Sequence, residues 1–176
     1  MSQASLPETR RFALPDPDAT DALARALAIS ATPHSANSTV VVFLHGDLGA
    51  GKSSLARAWL RALGVQGAIR SPTYTLVERY ALPDGSEALH LDLYRIGSGG
   101  ELEFLGLDDA PAALWLVEWP ERGLGGLPPA DLHVRLALPA DGSHGRLCTL
   151  DADSPSAREW LARLDSQGGL RAFPDA

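Results

Sequence analysis

Lys52 is the only lysine in a chain of 176 residues with 15 basic side chains, and every other one is arginine. It lies in Gly46-Asp47-Leu48-Gly49-Ala50-Gly51-Lys52-Ser53, which satisfies G-x-x-x-x-G-K-[ST] in full. Each residue type at this spacing has work to do around a polyphosphate. The glycines let the backbone fold so that several N–H groups converge on β- and γ-phosphates without Cβ clashes. A helix after the loop adds its positive N-terminal end. The Lys52 ammonium can follow charge moving onto the β–γ bridge, and the Ser53 hydroxyl can ligate Mg²⁺. A wide planar guanidinium does not replace a compact ammonium threaded through such a loop. That accounts for one lysine surviving in an arginine-rich chain.

A phosphate loop of this kind needs a carboxylate at the end of a neighbouring strand to order the metal, directly or through water. Two residues qualify. Glu118 closes the apolar run LWLVEW, the place of a Walker B acid, and Asp92 interrupts LHLDLYR. Each could also be a solvated strand carboxylate, a weaker reading for Glu118 than for Asp92. Thr73 in SPTYTL (residues 71–76) lies where a connecting segment can sense metal or γ-phosphate, or simply where Pro72 orders a strand. The Asp47 side chain reads as solvated or locally bonded. His45 reads as a satisfied strand-end histidine, His90 as a polar partner beside Asp92, Trp115 as core and Trp119 as a surface or interface aromatic. Cys148 reads as buried and inert. His34, His133 and His144 have no metal-ligand spacing. A guanine reader of the Asn-Lys-x-Asp type is impossible, because the one lysine is already in the loop. ATP is therefore the favoured nucleotide, or a weakly selective site.

The elements that must position these groups are legible as periodicities. Thr39–His45 is a continuous β-branched and apolar run, as in a parallel central strand buried on both faces. Leu55, Trp59, Leu60 and Leu63 fall at helical spacing after the loop, with Gly64 as the stop. Thr73–Tyr80 and Ala88–Arg95 read as a hairpin about Pro83-Asp84-Gly85. In the second of these, Leu89, Leu91 and Leu93 face one way and His90, Asp92 and Tyr94 the other. Asp16–Ser30 reads as a helix capped by Asp18 or Thr20. GSGG at 97–100 reads as a flexible break before a short helix, Glu101–Leu105, stopped by Gly106. Ala113–Trp119 is another buried strand. Asp131–Leu138 and Arg146–Ala152 form a hairpin, and Ser154-Pro155 starts a last helix. The expected fold is α/β: a P-loop NTPase-like mixed sheet, parallel at its centre with antiparallel hairpin additions and helices on both faces. Residues 1–15 read as a flexible arm, 16–165 as one ATPase domain and 166–176 as a flexible tail.

Composition sets limits. Hydrophobic content of 45% and charged content of 21% are globular values. One cysteine cannot form an internal disulfide, which favours a reducing, cytoplasmic setting. No apolar run is long enough to span a membrane, and MSQASLPETRRFALP has no apolar h-region, so neither an anchor nor a secretory signal is expected. The net charge, 15 − 22 = −7, makes the chain a poor candidate for gripping nucleic acid alone.

GDLGAGKSSLARAWLRALG, SPTYTLVERY, LHLDLYRI, ELEFLGLDD, LWLVEWPERG and LPPADLHV occur in this order. Together they resemble the bacterial tRNA threonylcarbamoyladenosine biosynthesis ATPases, the TsaE (YjeE) family, over roughly Ala13 to Leu138. The resemblance implies a small Mg²⁺-dependent ATPase that works with the TsaB and TsaD proteins. These transfer a threonylcarbamoyl group to an anticodon-loop adenosine of tRNA, while the ATPase cycle supports turnover and meets tRNA only indirectly. It implies that Asp47, Leu48, Gly49, Ala50, Gly51, Lys52, Ser53, Ser54 and Thr73 contact ATP. Ser53 and Glu118 would hold Mg²⁺, and Lys52, Asp92 and Glu118 would serve hydrolysis. Tyr74 would lie at or near a partner surface, and the helix near Thr20 would approach the base. The family more often has Thr where Ser53 stands, and either hydroxyl can ligate Mg²⁺. No arginine finger is assignable, although Arg79 and Arg95 are candidates in cis. Two rivals share the loop. A small-molecule or nucleoside kinase would need an acceptor pocket and an Arg-bearing lid. A nucleotide-gated interaction module would bind without hydrolysing.

Overall fold

The computed structural model describes residues 8–31, 38–107 and 112–176. Strand β2 (Val40–His45) is buried along its middle four residues. Its pleat divides them between two cores: Val42 and Leu44 face one, Val41 and Phe43 the other. Both faces of the sheet are therefore covered, as a continuous apolar run requires.

Seven strands form one sheet in the order β1-β7-β6-β2-β5-β4-β3. The strands not yet given are β1 (Glu8–Leu14), β3 (Val77–Ala81), β4 (Glu87–Asp92), β5 (Ala112–Glu118), β6 (Leu132–Ala137) and β7 (Arg146–Ala152). Strands β6, β2, β5 and β4 run parallel at the centre, and β1, β7 and β3 add antiparallel flanks. Three α-helices, α1 (Pro17–Ser30), α2 (Lys52–Ala62) and α3 (Pro155–Ser166), cover one face. Leu23, Leu27, Leu55, Trp59, Trp160 and Leu161 form its apolar contact, and the Trp59 and Trp160 rings meet edge-on at 5.8 Å. The opposite face, built on Leu89, Leu91, Leu93 and Val117, is closed by 3-10 segments at Gly99–Leu105 and Pro120–Gly123. Helices thus lie on both faces, of two kinds. Among the described residues no helix is long and apolar enough to cross a membrane.

Several expectations need correction. The arm expected over 1–15 is a strand from Glu8 onward; residues 1–7 and His34 lie outside the described residues. Phe12 and Leu14 alternate inward, and pairing with β7 covers an edge that would otherwise be open. Pro15 follows this strand rather than dissolving it. The expected frayed tail is packed as well. Leu170 and Phe173 are buried, Phe173 meets Phe12 edge-on at 5.9 Å, and Ala13 N donates to Pro174 O at 2.8 Å. Helix α1 is capped by Asp16, whose Oδ1 accepts from Ala19 N at 2.8 Å, with Pro17 in the first turn. The 97–100 stretch is an ordered capping box: Glu101 Oε1 accepts from Gly97 N and Ser98 N at 3.0 and 3.1 Å. Strand β3 starts only at Val77. Residues 73–76 turn instead, with Leu76 at φ 65°. Strand β4 stops at Asp92 because its Oδ1 accepts from Tyr94 N at 3.0 Å, bending the chain. Trp115 is only half-buried, against the second core.

The packed C-terminal segment predicts a measurable cost for Phe173→Ala. It should destabilise the fold by roughly 3 kcal/mol, the low end for a buried Phe truncation. A lower urea midpoint at unchanged slope is the expected reading, whereas a frayed tail would leave the midpoint where it was.

Candidate functional site

Strand β2 delivers the chain into the glycine loop at the C-terminal edge of the parallel strands, where open α/β sheets bind ligands. Gly46 sits at φ 144°, and a Cβ there would collide with the Leu136 carbonyl oxygen. Gly51 adopts the left-handed conformation (φ 110°) as the cap of α2 and offers no side chain to the helix start. The first-turn N–H groups are thus left without a side-chain cap.

Lys52, only 5% exposed, folds back over this loop. Its Nζ donates to Gly46 O at 2.6 Å and to Asp47 O at 2.9 Å, and lies 4.2 Å from the centre of the Trp119 ring. Desolvation pulls the Lys52 pKa below the usual lysine value, opposed by Glu118 first and then by Asp92, Glu121 and Asp47. Trp119 was expected as a surface or interface aromatic. It is instead half-buried beside the lysine, in the left-handed region at φ 56°, with Tyr94 5.0 Å away.

The parallel pairing of β4 with β5 sets Asp92 directly beside Glu118. Both carboxylates are buried. Glu118 Oε2 accepts from Ser53 Oγ at 2.9 Å, and its Oε1 lies 2.8 Å from Nε2 of the fully buried His90. That bond puts the imidazole proton on Nε2 and leaves Nδ1 without a hydrogen-bond partner. Asp92 Oδ2 accepts from Thr73 Oγ1 at 2.9 Å, and Ser71 Oγ lies 2.9 Å from the same hydroxyl. Ser53, Glu118, Asp92 and Thr73 therefore converge as an all-oxygen set around a cavity of about 240 Å³ that Lys52 also lines. Hard oxygen donors with two buried carboxylates are chemistry suited to Mg²⁺.

The loop residues named from the sequence lie along two adjoining cavities. Leu48, Gly49 and Thr73 line the one just described. Ala50 lines a second of about 420 Å³, and Gly51 and Ser54 line both. Asp16, Thr20, His144 and Arg146 also line the second cavity. Asp47 enters the site through its backbone carbonyl. Of the two candidate arginine fingers, Arg79 is turned away onto Gly106 O at 2.7 Å and Glu87 at 3.5 Å, while Arg95 stacks on the exposed Tyr74 ring at 4.6 Å. Arg146, unremarked in the sequence, reaches the carbonyls of Gly49 and Ala50. Its only sequence signal is its position at the start of a strand, which does not distinguish it. Cys148 is buried in β7 and burial pushes its thiol up to about 12.

Behind the loop, His45 Nε2 lies 2.8 Å from His133 Nδ1, with the rings stacked at 5.1 Å and His133 Nε2 3.1 Å from Asp153. His45 is thus a partnered strand-end histidine. Burial lowers its pKa to about 4, aided by the positive field of Arg135 and by His133.

A buried parallel strand, a glycine loop and a lysine-led helix, facing paired strand-end carboxylates, define a P-loop fold of the nucleotide-binding class. Residues 14–146 match the profile of the threonylcarbamoyl adenosine biosynthesis protein TsaE, and the chain belongs to that family. It is 48% identical over 99 residues to the tRNA threonylcarbamoyladenosine biosynthesis protein TsaE of Haemophilus influenzae, over 55% of this chain and 62% of that one. The match therefore spans less than two thirds of that relative. Identity to the protein of the same name from Rickettsia bellii is 36%, over 72% of this chain and 84% of the other. The crystal structure of Bacillus subtilis YdiB superposes with a TM-score of 0.73 at 25% identity, covering 93% of this chain and 99% of that one. Members of the family act in tRNA threonylcarbamoyladenosine biosynthesis.

The His45 environment predicts a pH dependence. Its folded pKa of about 4 lies below the unfolded value of about 6.5, so the unfolded chain takes up the proton first as pH falls. The stabilising difference is complete above pH ~6.5 and is lost between ~6.5 and ~4. Denaturant titrations of the wild type and His45→Gln should diverge in slope against pH within that window. Parallel curves would contradict the assignment.

Proposed function

We propose that this chain is a Mg²⁺-dependent ATPase that acts as an accessory subunit in tRNA N6-threonylcarbamoyladenosine modification. The observation that carries the reading is the convergence of Lys52, Ser53, Glu118 and Asp92 on one cavity at the end of the parallel strands. Loop amides and Lys52 would hold the phosphates, Lys52 exchanging its two loop carbonyls for phosphate oxygens. Ser53 and Glu118 would hold the metal, and His90 keeps the Glu118 carboxylate from rotating. Bound Mg²⁺ would supply neutralisation of charge developing on the transferred phosphoryl group. Asp92 would orient the attacking water, or the Thr73 segment that it anchors. The 420 Å³ cavity beside Ala50 and Ser54 is the place for the nucleoside, with Thr20 on its wall.

The family assignment and the name borne by its relatives support a place in this pathway. We place the chain in the cytoplasm with the TsaB and TsaD proteins as partners. The net charge of −7 suits a subunit that leaves tRNA binding to others. Neither candidate arginine points into the phosphate cavity, so hydrolysis by the isolated chain should be slow. A residue supplied in trans can add ~10³–10⁵ in rate.

Two measurements test this. Lys52→Ala should bind ATP roughly 10- to 150-fold more weakly, the worth of a hydrogen bond to a charged group; unchanged affinity would remove the phosphate-loop reading. Reconstituted with TsaB, TsaD and tRNA, the wild type and ATP should be required for modification over many turnovers. Equal multiple-turnover modification without the chain would refute the assigned role. ADP formed only when a small-molecule acceptor is present, with the phosphoryl group on the acceptor and no free phosphate, would favour the kinase reading instead.

A further inference from the structure

The loop's backbone carbonyls are held by two cations, and they divide the work. Lys52 takes Gly46 O and Asp47 O. Arg146 takes the next pair: Nε donates to Ala50 O at 2.8 Å and Nη2 to Gly49 O at 3.0 Å. Its remaining Nη1 donates to Gly145 O at 2.6 Å. Two adjacent guanidinium nitrogens thus meet two successive peptide carbonyls, a fork that an ammonium cannot reproduce.

We infer that Arg146 is a positioning residue for nucleotide binding, the fixed clamp that pre-aims the glycine loop. The inference rests on the proposed nucleotide site. In a trans peptide the C=O and the following N–H point opposite ways. Holding Ala50 O toward Arg146 turns Gly51 N–H away from it, to the other side of the loop. Holding Gly49 O orients Ala50 N–H, which closes the turn onto Asp47 O at 3.1 Å. The guanidinium charge also polarises both peptide groups and so strengthens their N–H donors.

The two clamps differ in what an arriving phosphate does to them. Lys52 lines the phosphate cavity, so its carbonyl bonds are the ones a phosphate displaces. Arg146 borders not that cavity but the neighbouring one assigned to the nucleoside, so an arriving phosphate does not compete for its carbonyl bonds. Gly145 brings it there: at φ 99° it packs so close to Leu14 O that a Cβ would collide. The pairing of Leu14 with Arg146 then fixes the start of β7 beside β1. A loop left unclamped would have to order itself as the nucleotide binds, and that ordering entropy would be subtracted from affinity.

The test compares ATP dissociation constants of the wild type, Arg146→Met, Arg146→Lys and Lys52→Ala, with hydrogen exchange of residues 46–51 in the nucleotide-free protein. Arg146→Met should bind ATP roughly tenfold or more weakly, and exchange should rise in the loop but not in α2 or β2. If Arg146→Met unfolds, Arg146→Lys keeps charge and stem without the fork and should show the same loss. Wild-type affinity in a folded Arg146→Lys overturns the fork. Unchanged affinity in Arg146→Met, with Lys52→Ala impaired, overturns the clamp and leaves the nucleotide site standing. Unchanged affinity in Lys52→Ala as well removes both.

Discussion

The structure is organised around charges that have been taken out of water. Lys52, Asp92 and Glu118 are each no more than 5% exposed, and His90 is fully buried among them. With Thr20 they make up the buried polar and charged side chains among the described residues. An unpaired buried charge costs several kcal/mol. Every member here has therefore been given partners: Lys52 two carbonyls and an aromatic face, Glu118 a hydroxyl and an imidazole, Asp92 a hydroxyl and an amide. Two carboxylates still face one ammonium, a surplus of negative charge that would favour a divalent cation.

The need to bring these groups to one spot explains the sheet. Four parallel strands place their C-terminal ends on one edge, so β2 can release the loop where β4 and β5 present Asp92 and Glu118. A register slip of one residue in β4 would exchange His90 and Asp92 for the leucines of the opposite face. Cores on both faces resist such a slip. The antiparallel flanks serve the same site from a distance: β7 carries Arg146 to the loop, and β1 with the C-terminal segment covers the edge of β7. The TsaE-type fold is in this sense a scaffold for one polar edge.

What was legible in the sequence was what local chemistry dictates. The glycine spacing around Lys52, the apolar runs ending in His45 and Glu118, and the alternation of Leu89, Leu91 and Leu93 against His90 and Asp92 each state a conformation within a few residues. What escaped depends on partners far along the chain. Phe12 and Phe173 look like residues of a loose arm and tail until each supplies the other's cover. Thr73 reads either as a metal or phosphate sensor or as a strand entry, and the Asp92 bond that fixes its place spans 19 positions. Arg146 is 96 residues from Ala50, and nothing in its neighbours marks it. Trp119 reads as an exposed aromatic, because its contact is a lysine belonging to another element.

On the proposed function, the buried carboxylates would form a metal site completed by nucleotide. Calorimetric titration of ATP with and without Mg²⁺, in the wild type and in Glu118→Gln, tests it most directly. Mg²⁺ should tighten ATP binding to the wild type, and Glu118→Gln, isosteric and able to keep the Ser53 contact, should lose most of that gain. An equal Mg²⁺ effect in both proteins would contradict it.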